Sequence, residues 1–411
     1  MKLIVIGGGA AGFFCAINAA RMNPKAEVVI LEKTVKLLSK VKVSGGGRCN
    51  VTHACFDISD MANRYPRGKN FVKKSFHGFF TTDTIQWFSE RGVQLKTEAD
   101  GRMFPVTDNS QSIIDCLLNE AEKFNVEIRM QVSVEKIEKS RIGFTLHTKS
   151  SGRDDILSTD YVCIASGGSS KDLSYNWLRS LGHKVNKPVP SLFTFNIPDH
   201  PIIKLMGVSV EDAEVKINGT KEKQRGPVLI THWGLSGPAV LKLSAWGAVE
   251  LAERNYDFLI TVNWVPPYHE SGLREFLINH REQFASSQMK NKNPFGLPQR
   301  LWDFFLELSG VLNDTRWGNL SSVSMNKLVK NLSSFECRVS GKTTFKEEFV
   351  TAGGVSLTEI EHATMMSRIV PGLYFAGEVM DVDGITGGYN FQHAWTSGYL
   401  AAKAIAINAG L

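Results

Sequence analysis

The stretch of residues 3–32 constrains the fold of this chain more than any other. Four apolar residues are followed by a run of glycine and alanine that ends at Gly12, then by a segment of small residues and by a second apolar segment that ends at Glu32. This order predicts a strand, a tight turn, a helix and a second strand. We therefore predict a Rossmann-type unit in an α/β fold, an arrangement that binds dinucleotides.

The residues of the turn match the needs of such a ligand. Gly7 permits the sharp turn, Gly9 lets the backbone approach a pyrophosphate, and Gly12 allows the helix to pack closely on the strand. Ala10 and Ala11 begin the helix, whose free N–H groups and positive dipole end attract a pyrophosphate. These five residues form the first part of the predicted cofactor site.

Glu32, at the end of the second strand, is placed to contact an adenosine ribose. Its carboxylate can accept hydrogen bonds from the ribose hydroxyls, and Lys33 follows it directly in the predicted site. The alternative interpretation is a secretory signal peptide, because Met1 and Lys2 precede an apolar run. Three consecutive glycines would break the helix of a signal peptide, and the run continues into a second strand, so we favour the dinucleotide site.

The overall composition limits the function classes. With 47 Lys and Arg against 41 Asp and Glu, the chain carries a formal charge of +6 without a dense basic block, so we expect no nucleic-acid partner. No apolar run approaches the roughly 20 residues that span a bilayer, and we expect no membrane association. Six cysteines in 411 residues suit reduced thiols in a cytoplasm. The sequence leaves the oligomeric state open.

A second glycine-rich segment lies at residues 44–52. It contains Gly46, Gly47, Arg48, Cys49 and Asn50. The backbone N–H groups of glycines, together with one fixed positive charge, suit a second approach to a phosphate or to the edge of a flavin. These five residues are therefore predicted cofactor contacts.

Strand patterns farther along the chain approach the same ligand. Residues 126–148 alternate as a strand followed by a meander, and Val134 within them is a predicted cofactor contact. Residues 161–165 form an apolar strand that runs into Gly167 and Gly168. A strand that ends in a glycine pair indicates a chain that passes close to a cofactor, so both glycines join the predicted site.

Changes of pattern divide the chain into domains. Residues 1–187 form the first part of the predicted cofactor domain, residues 188–265 show the short strands and turns of a small barrel or sandwich, and residues 266–333 are helical. Residues 334–350 are predicted to return to the barrel as strands, and residues 351–411 complete the cofactor domain. We therefore expect both chain ends in one domain, with the middle inserted.

The C-terminal part supplies the residues that point to FAD. Gly377 and Glu378 follow a short strand, where the carboxylate can bind ribityl hydroxyls. Gly388, Tyr389 and Asn390 begin the last helix, whose positive end would stabilise negative charge on the pyrimidine side of a reduced flavin. Because FAD is longer than NAD, it needs partners beyond the first turn, and these residues are predicted to provide them.

Asp381 and Asp383 lie between these two segments. We assign Asp381 to the predicted cofactor site. A metal site is the alternative, but no histidine is adjacent and the spacing is not that of a calcium-binding EF-hand loop, so we predict no metal.

Five segments of the chain together resemble the BaiN/YhiN family of FAD-dependent oxidoreductases: residues 3–32, the SGGGRCN string at 44–50, residues 231–238, residues 351–355, and residues 375–392 with the TGGYN string. They cover nearly the whole chain in the family's order. The resemblance implies a glutathione-reductase-like FAD domain with an inserted β-barrel and a small helical domain. It also implies an oxidoreductase, since one branch of the family reduces carbon–carbon double bonds conjugated to a ketone in dehydro bile acids. Another branch resembles aminoacetone oxidase.

The leading functional hypothesis is hydride transfer through flavin N5 to or from a small organic substrate, with the reduction of an enone as the favoured reaction. NAD(P)H is the candidate electron donor, although the sequence has no second glycine turn preceded by a strand, and hence no dedicated NAD(P)H domain. A side chain must protonate the carbon next to the site of hydride addition. His232, in a glycine-rich island, is the first candidate and Tyr389 the second, and Arg48 and His393 are further candidates.

Three other classes of flavoenzyme stay open. An amine oxidase similar to aminoacetone oxidase would oxidise its substrate. Dithiol–disulfide exchange would use Cys49 and Cys55, which lie near the position of the redox pair in glutathione reductase but with a different spacing. A flavoprotein linked to tRNA modification would need a stripe of basic and aromatic residues, which the sequence does not show.

Overall fold

The computed structural model describes residues 1–169, 171–343 and 350–410. They form two compact units, of which the first is built from both ends of the chain and the second from its middle, with the boundary after Ser191. The remaining residues lie outside the described part of the chain: Ser170, Leu411 and residues 344–349.

The strands, in chain order, are β1 (Lys2–Ile6), β2 (Glu27–Glu32), β3 (Thr52–His53), β4 (Leu95–Thr97), β5 (Arg102–Pro105), β6 (Glu127–Met130), β7 (Val132–Lys139), β8 (Phe144–Ser150), β9 (Arg153–Thr159), β10 (Tyr161–Ile164), β11 (Val185–Ser191), β12 (Thr194–Asn196), β13 (Ser209–Ile217), β14 (Lys223–Ile230), β15 (Gly234–Ser236), β16 (Asp257–Asn263), β17 (Phe335–Ser340), β18 (Lys342–Thr343), β19 (Val350–Val355) and β20 (Leu373–Phe375).

The α-helices, in chain order, are α1 (Ala10–Met22), α2 (Ser39–Gly47), α3 (Ile58–Ala62), α4 (Lys69–Ser75), α5 (Thr81–Ser89), α6 (Gln111–Lys123), α7 (Asn176–Ser180), α8 (Pro238–Trp246), α9 (Ala248–Glu253), α10 (Glu270–Gln283), α11 (Gln299–Leu308), α12 (Ser322–Ser333) and α13 (Tyr389–Asn408). Among the described residues, no helix combines the length and the apolar character that crossing a bilayer requires.

The first unit is organised around a sheet with the strand order β20-β10-β1-β2-β6, in which every pairing is parallel. β1 lies at its centre, and its apolar residues from Leu3 to Ile6 are buried. Continuous apolar strands of this kind are expected where helices cover both faces of a sheet. Because parallel strands all end at one edge, the turns that follow β1, β2, β10 and β20 meet there.

The two ends of the chain meet where α1 packs against α13. Gly398 of α13 makes this close approach possible, because a Cβ atom at this position would lie 2.7 Å from the carbonyl oxygen of Ala11. A larger residue would force the two helices apart. The first unit therefore depends on segments that are separated by most of the sequence.

The second unit contains an antiparallel sheet in the order β17-β16-β13-β14-β15-β12-β18. The first and last members of this order are consecutive in the chain, with only Gly341 between them. The same stretch of chain thus pairs with β16 through β17 and with β12 through β18, so the sheet closes into a barrel. This is the inserted barrel that the family resemblance implies.

A single hydrophobic core joins the barrel to the helices of the second unit. Val215 and Ile260 from the barrel belong to the same buried cluster as Leu273, Trp302 and Leu328 from α10, α11 and α12. The predicted division into a barrel at 188–265 and a separate helical domain at 266–333 is therefore replaced by one unit with one core. Local sequence patterns do not show that these strands and helices bury their apolar side chains in one common core.

The boundaries of the inserted part also differ from the prediction. Residues 188–191 belong to β11, which pairs with β19 in the first unit, so the insertion begins later than predicted. Of the predicted return segment, 334–350, the described residues up to 343 form β17 and β18 in the barrel, and Val350 begins β19 in the first unit. Residues 344–349 of that segment lie outside the described part of the chain.

Two helices, α8 and α9, lie where short strands and turns were predicted. Pro238 begins α8, and proline is well suited to the first helical position because the N–H group it lacks would have no partner there. Ala239, Val240 and Leu243 are buried on one side of this helix. The adjacent glycines obscured this pattern in the sequence.

Candidate functional site

The turn between β1 and α1 forms the first wall of the candidate site. The backbone N–H of Gly7 donates to the carbonyl of Leu31 at 2.8 Å, and a Cβ atom at Gly12 would lie 2.0 Å from the carbonyl oxygen of Gly7. A Cβ atom at Gly9, in contrast, would meet no described atom within 4 Å. The turn is therefore tight on its protein side and open at Gly9, as a pyrophosphate site requires.

The first residues of α1, Ala10 and Ala11, follow this turn without a side-chain cap among the described residues. Their backbone N–H groups are the donors that a helix leaves unsatisfied at its N-terminus. An anionic group is favoured at this position by the hydrogen bonds and by the helix dipole.

Glu32 extends from the end of β2 to the same turn. Its carboxylate accepts hydrogen bonds from the backbone N–H groups of Gly8 at 2.9 Å and Thr34 at 2.8 Å. These contacts hold the carboxylate beside the glycine turn, where an adenosine ribose would lie. Lys33 is exposed directly after it, and Val134, in β7, is partly buried and pairs with Thr148.

The second glycine-rich segment begins inside α2. Helical geometry is lost at Ser44, and Gly46 and Gly47 have φ angles of 70° and 85°. A Cβ atom at either glycine would meet no described atom within 4 Å. Both glycines therefore leave room for a ligand in a backbone conformation that other residues rarely adopt.

Arg48 is held by protein groups. Its guanidinium donates to Glu98 at 2.6 Å, lies 3.6 Å from Asp108, and covers the ring of Phe104 at 4.0 Å. Its charge is therefore compensated within the protein, which differs from the sequence-based expectation of a positive charge presented to a phosphate. Glu98 and Asp108 follow Arg48 by about 50 or more residues in the sequence, so no local pattern predicts these ion pairs.

Cys49 and Cys55 differ in exposure. Cys49 is buried, and its burial raises the pKa of the thiol to about 12. Cys55 is partly exposed, and burial raises its pKa as well. Both thiols are free. A reactive thiolate is disfavoured at Cys49, which argues against dithiol–disulfide exchange through this pair.

The chain after β10 and the chain after β20 form the next part of the site. A Cβ atom at Gly168 would lie 2.4 Å from Thr351 Oγ1 and 2.9 Å from the carboxyl carbon of Glu378, whereas one at Gly167 would meet no described atom within 4 Å. Gly377 lies against α1, since its Cβ atom would be 2.8 Å from Cβ of Ala11. The fold thus brings these glycines to the turn after β1.

Glu378 and Thr351 form a polar pair beside these glycines. Glu378 accepts hydrogen bonds from the backbone N–H of Thr351 at 2.7 Å and from Lys40 at 2.6 Å. The hydroxyl of Thr351 is buried and has no hydrogen-bond partner among the described residues. A buried hydroxyl without a partner is unfavourable, and a hydroxyl-bearing ligand would satisfy it.

Asp381 binds neighbouring protein groups. Its carboxylate accepts from the Asn186 amide at 2.6 Å and from the Gly353 backbone N–H at 3.1 Å. It thereby links the chain after β20 to β11 and β19. Its assignment as a cofactor contact stays a prediction.

Asp383 is fully buried and paired with Arg67. The Arg67 guanidinium donates two hydrogen bonds to its carboxylate, and the Ser191 hydroxyl donates a third at 2.8 Å. Burial raises the pKa of Asp383, while the hydrogen bonds from Arg67 oppose this shift. The pair joins the segment before α4 to the segment before α13. Across the described residues, no group of three or more potential metal ligands is assembled.

The N-terminus of α13 is fixed against β3. A Cβ atom at Gly388 would lie 2.5 Å from the carbonyl of Thr52, and the Asn50 side chain can accept from the Gly388 N–H at 2.9 Å when its amide is turned. The amide of Asn390 both donates to and accepts from the backbone of Gly384. The structure thus brings residues 50 and 388 together, and α13 begins without a side-chain cap among the described residues.

An aromatic cluster surrounds Tyr389 at this helix end. The ring of His53 stacks on it with centroids 4.8 Å apart, and the Tyr65 hydroxyl donates to the Tyr389 carbonyl at 2.6 Å. His53 Nδ1 lies 3.0 Å from the carbonyl oxygen of Gly387. Burial raises the pKa of Tyr389 to about 12, so the phenol keeps its proton at neutral pH.

Sequence reasoning missed His53, Tyr65, Lys40 and Thr351 as members of the site. His53 follows Asn50 closely, and Thr351 belongs to the string that carries part of the family resemblance, so position alone could have suggested them. Nothing local indicates Tyr65 or Lys40, because their partners are more than 300 residues away.

The other predicted proton donors, His232 and His393, differ in exposure. His232 is an exposed residue of the second unit, and its ring contacts Trp233 at a centroid distance of 3.9 Å. His393 is buried in α13, where burial lowers its pKa to about 4. His393 is therefore neutral at physiological pH. The role of His232 stays a prediction.

The residues of the first unit fit FAD. Open glycines line the turn after β1 and the end of α2, two long helices begin there without side-chain caps, and a buried hydroxyl lacks a partner. With the Rossmann fold, these features define a flavin-dependent oxidoreductase.

The chain belongs to the HI0933-like Rossmann-domain family, whose model matches residues 1–404. It is 31% identical to the 3-dehydro-bile acid Δ(4,6)-reductase of Clostridium scindens, over 98% of this chain and 99% of that relative. It is 32% identical to the ribosomal RNA dihydrouridine synthase of Escherichia coli, over 97% of this chain and 96% of that relative. The family resemblance recognised in the motifs is therefore confirmed.

Solved structures show the same fold. The 3-ketosteroid Δ1-dehydrogenase of Sterolibacterium denitrificans, in complex with 1,4-androstadiene-3,17-dione, matches 99% of this chain and 99% of its own with a TM-score of 0.53. At 12% identity, this similarity concerns the fold alone. The predicted FAD-binding α/β fold and the prediction of an FAD-dependent oxidoreductase are confirmed.

Proposed function

We propose that this enzyme reduces a carbon–carbon double bond that is conjugated to a carbonyl group. A hydride is added to the carbon farther from the carbonyl, a proton is added to the carbon next to it, and NAD(P)H supplies the two electrons. The main support comes from two relatives that match nearly the whole chain. Their names describe reduction of an unsaturated 3-oxo steroid acid and of the uridine ring, and in both rings the reduced double bond is conjugated to a carbonyl.

The residues of the first unit have distinct roles in this proposal. Bound FAD would supply the hydride from flavin N5. The turn at Gly9 and the N-terminus of α1 would hold its pyrophosphate, and Glu32 would hold the adenosine ribose. Glu378 and Thr351 would bind the ribityl chain. The N-terminus of α13 would stabilise negative charge at the pyrimidine side of the ring.

Tyr389 is the proton donor that the geometry favours within the first unit. It occupies the first position of α13, its backbone is held by Tyr65, and its ring is held by His53. Because its pKa is raised to about 12 by burial, the phenol carries a proton throughout the neutral range. The rate of the protonation step should therefore stay constant with pH until strongly alkaline conditions.

Anaerobic mixing tests the proposed reaction. NADH or NADPH should bleach the flavin of the purified protein, and a cyclic enone or uridine should restore the oxidised spectrum with formation of the saturated product. Free amines should not reduce the flavin. Reduction of the flavin by an amine, together with no reoxidation by any conjugated carbonyl compound, would favour the amine oxidase alternative instead.

Two variants compare the candidate proton donors. Tyr389→Phe should lower the rate of flavin reoxidation by an enone about 100-fold or more, because a positioned general acid contributes that much. His232→Ala should also lower turnover, and unchanged turnover in this variant would remove His232 from the mechanism. Both variants should retain FAD. Tyr399→Phe is the matched control, since Tyr399 lies on the same helix and stacks on Phe79. An unchanged rate in Tyr389→Phe would remove Tyr389 from the mechanism.

A further inference from the structure

A group of exposed basic side chains lies along α4 and the end of α13. Between Asp60 and Asp83 the sequence contains five Arg and Lys residues and no acidic residue. Four of them are exposed, and an exposed lysine of α13 lies at the same cavity as α4. We call these five residues the basic strip: Arg64, Lys69, Lys73, Lys74 and Lys403.

The charges of the basic strip are not compensated within the described part of the protein. None of the five side chains forms a salt bridge with a described carboxylate, whereas Arg225 and Arg338 on the second unit each hold an aspartate. Clustered cations of one sign repel each other and create a positive potential at the surface. An anionic partner would relieve this repulsion.

An open cavity of about 540 Å³ lies at one end of the basic strip. Lys74, His77, Lys403 and His362 supply its basic groups, Ser75 and Thr364 supply hydroxyls, and its other walls include the apolar side chain of Leu400. No carboxylate is among the described residues that line it. The Nδ1 atom of His362 is buried and has no hydrogen-bond partner among the described residues, while its Nε2 atom lies 3.6 Å from the carboxylate of Glu361. The cavity thus combines cations, an unsatisfied polar atom and an apolar surface.

The other end of the basic strip lies beside the candidate active site. Gly68, which precedes α4, packs on Val382, and Arg67 binds Asp383. Burial raises the pKa of Tyr389, and the nearby positive charge of Arg64 opposes this shift. The strip therefore runs from the N-terminus of α13 towards its C-terminal end.

The distance along α13 excludes direct hydride donation from the cavity. Fifteen residues of helix separate Gly388 from Lys403, and at about 1.5 Å of rise per residue they span roughly 22 Å. A nicotinamide bound in the cavity would be far from a flavin at the start of α13. A ligand that uses both ends of the strip must be long and must carry several negative charges.

We propose that the basic strip and its cavity bind the phosphate backbone of single-stranded RNA. This inference rests on the proposed function, because uracil contains a carbon–carbon double bond conjugated to a carbonyl. A chain of a few nucleotides spans the strip, and an unpaired base can leave the stack to reach an active site. The composition predicts no nucleic-acid partner, but a net charge of +6 for the whole chain does not show where the charges lie on the surface.

Fluorescence anisotropy with a labelled single-stranded oligouridylate tests the site. The wild-type holoenzyme should bind it with an affinity that falls steeply as salt increases. The triple variant Lys73→Gln, Lys74→Gln, Lys403→Gln should bind about 100-fold more weakly at about 0.1 M salt, and the slope of log affinity against log salt should fall by about 2. FAD content and thermal midpoint report whether the variant is folded.

A control with the same loss of charge makes the test specific. Lys25→Gln, Lys149→Gln, Lys327→Gln removes three exposed lysines outside the strip, and it should bind the oligonucleotide like the wild type. Equal weakening in both triple variants, or binding that does not depend on salt, would overturn the proposal. So would strip-dependent binding to phosphatidylglycerol vesicles without binding to the oligonucleotide, which would indicate a membrane surface.

The same preparation separates this inference from the proposed function. If the wild type reduces small enones or free uridine but does not bind the oligonucleotide, the RNA site is wrong and the proposed reaction stands. If it binds the oligonucleotide through the strip but no conjugated carbonyl compound reoxidises its flavin, the proposed reaction is wrong and the strip is a nucleic-acid site with another purpose.

Discussion

Gly9→Ala should fold like the wild type and bind FAD about 100-fold more weakly. The φ angle of Gly9 is −94° and its ψ angle is −174°, which alanine adopts without strain. Its new methyl group would meet no described protein atom within 4 Å. It would instead occupy the space through which a pyrophosphate approaches the N–H groups of α1, and the loss of one or two hydrogen bonds to a charged group accounts for this factor.

Titration of the apoprotein with FAD, followed by fluorescence, measures the expected loss, and thermal unfolding of the apoprotein measures the fold. Gly272→Ala is the matched control, because Gly272 also has open space around its Cβ position but lies in α10 of the second unit. Gly12→Ala should behave differently, since its Cβ atom would lie 2.0 Å from the backbone oxygen of Gly7 and disturb the fold itself. Wild-type affinity for FAD in Gly9→Ala would show that the cofactor does not use this turn.

Arg67→Ala should destabilise the first unit by about 3–5 kcal/mol, because it leaves a buried carboxylate without its cation. Asp383 has no exposed surface, and the remaining hydrogen bond from Ser191 does not supply a charge. For a unit of this size, the thermal midpoint should fall by about 10 °C. FAD binding should weaken as well, since the pair connects the segment before α4 to the segment before α13.

The pH dependence of unfolding in the Arg67→Ala variant shows whether the loss of stability comes from the charge of Asp383. Burial raises the pKa of Asp383 in the folded state, and removal of Arg67 removes a group that opposes this shift. A carboxyl group whose folded-state pKa is raised contributes stability at low pH and loses it as the pH rises. The difference in free energy of unfolding between the variant and the wild type should therefore become smaller under mildly acidic conditions. A deficit that is the same at every pH would mean that packing, and not the charge of Asp383, is responsible.

A surface pair provides the comparison for Arg67. Arg225 also binds an aspartate, Asp212, with two hydrogen bonds of 2.6 Å, but both side chains are about half exposed. Arg225→Ala should cost less than about 1 kcal/mol. Similar losses in the two variants would contradict the view that burial makes the Arg67 pair important.

The sequence was sufficient to predict the elements whose structure depends on contacts between neighbouring residues. Residues 3–32 predict β1, α1 and β2 because the turn, the helix and the strand are each specified by neighbouring residues. The same holds for α6, whose apolar face is visible from its spacing. The FAD cofactor could be inferred because Gly377 and Gly388 add a second set of glycine turns at the other end of the chain.

The sequence was insufficient to predict contacts between residues that lie far apart in the chain. His53 and Tyr389 stack across more than 300 positions, and Glu98 compensates Arg48 from a different element. The shared core of the second unit likewise joins strands and helices that look separate when the pattern is examined segment by segment. In each case the property depends on which residues meet in space, and neither periodicity nor spacing contains that information.

The contact at Gly398 has a consequence for biosynthesis. α13 is synthesised more than 300 residues after α1, yet the two helices pack directly on each other. A nascent chain that has exposed its glycine turn cannot complete the packing of the first unit before α13 has been synthesised. The proposed FAD site is therefore complete only once residues 389–408 have been made, and chains that stop before them should accumulate as colourless, protease-sensitive fragments.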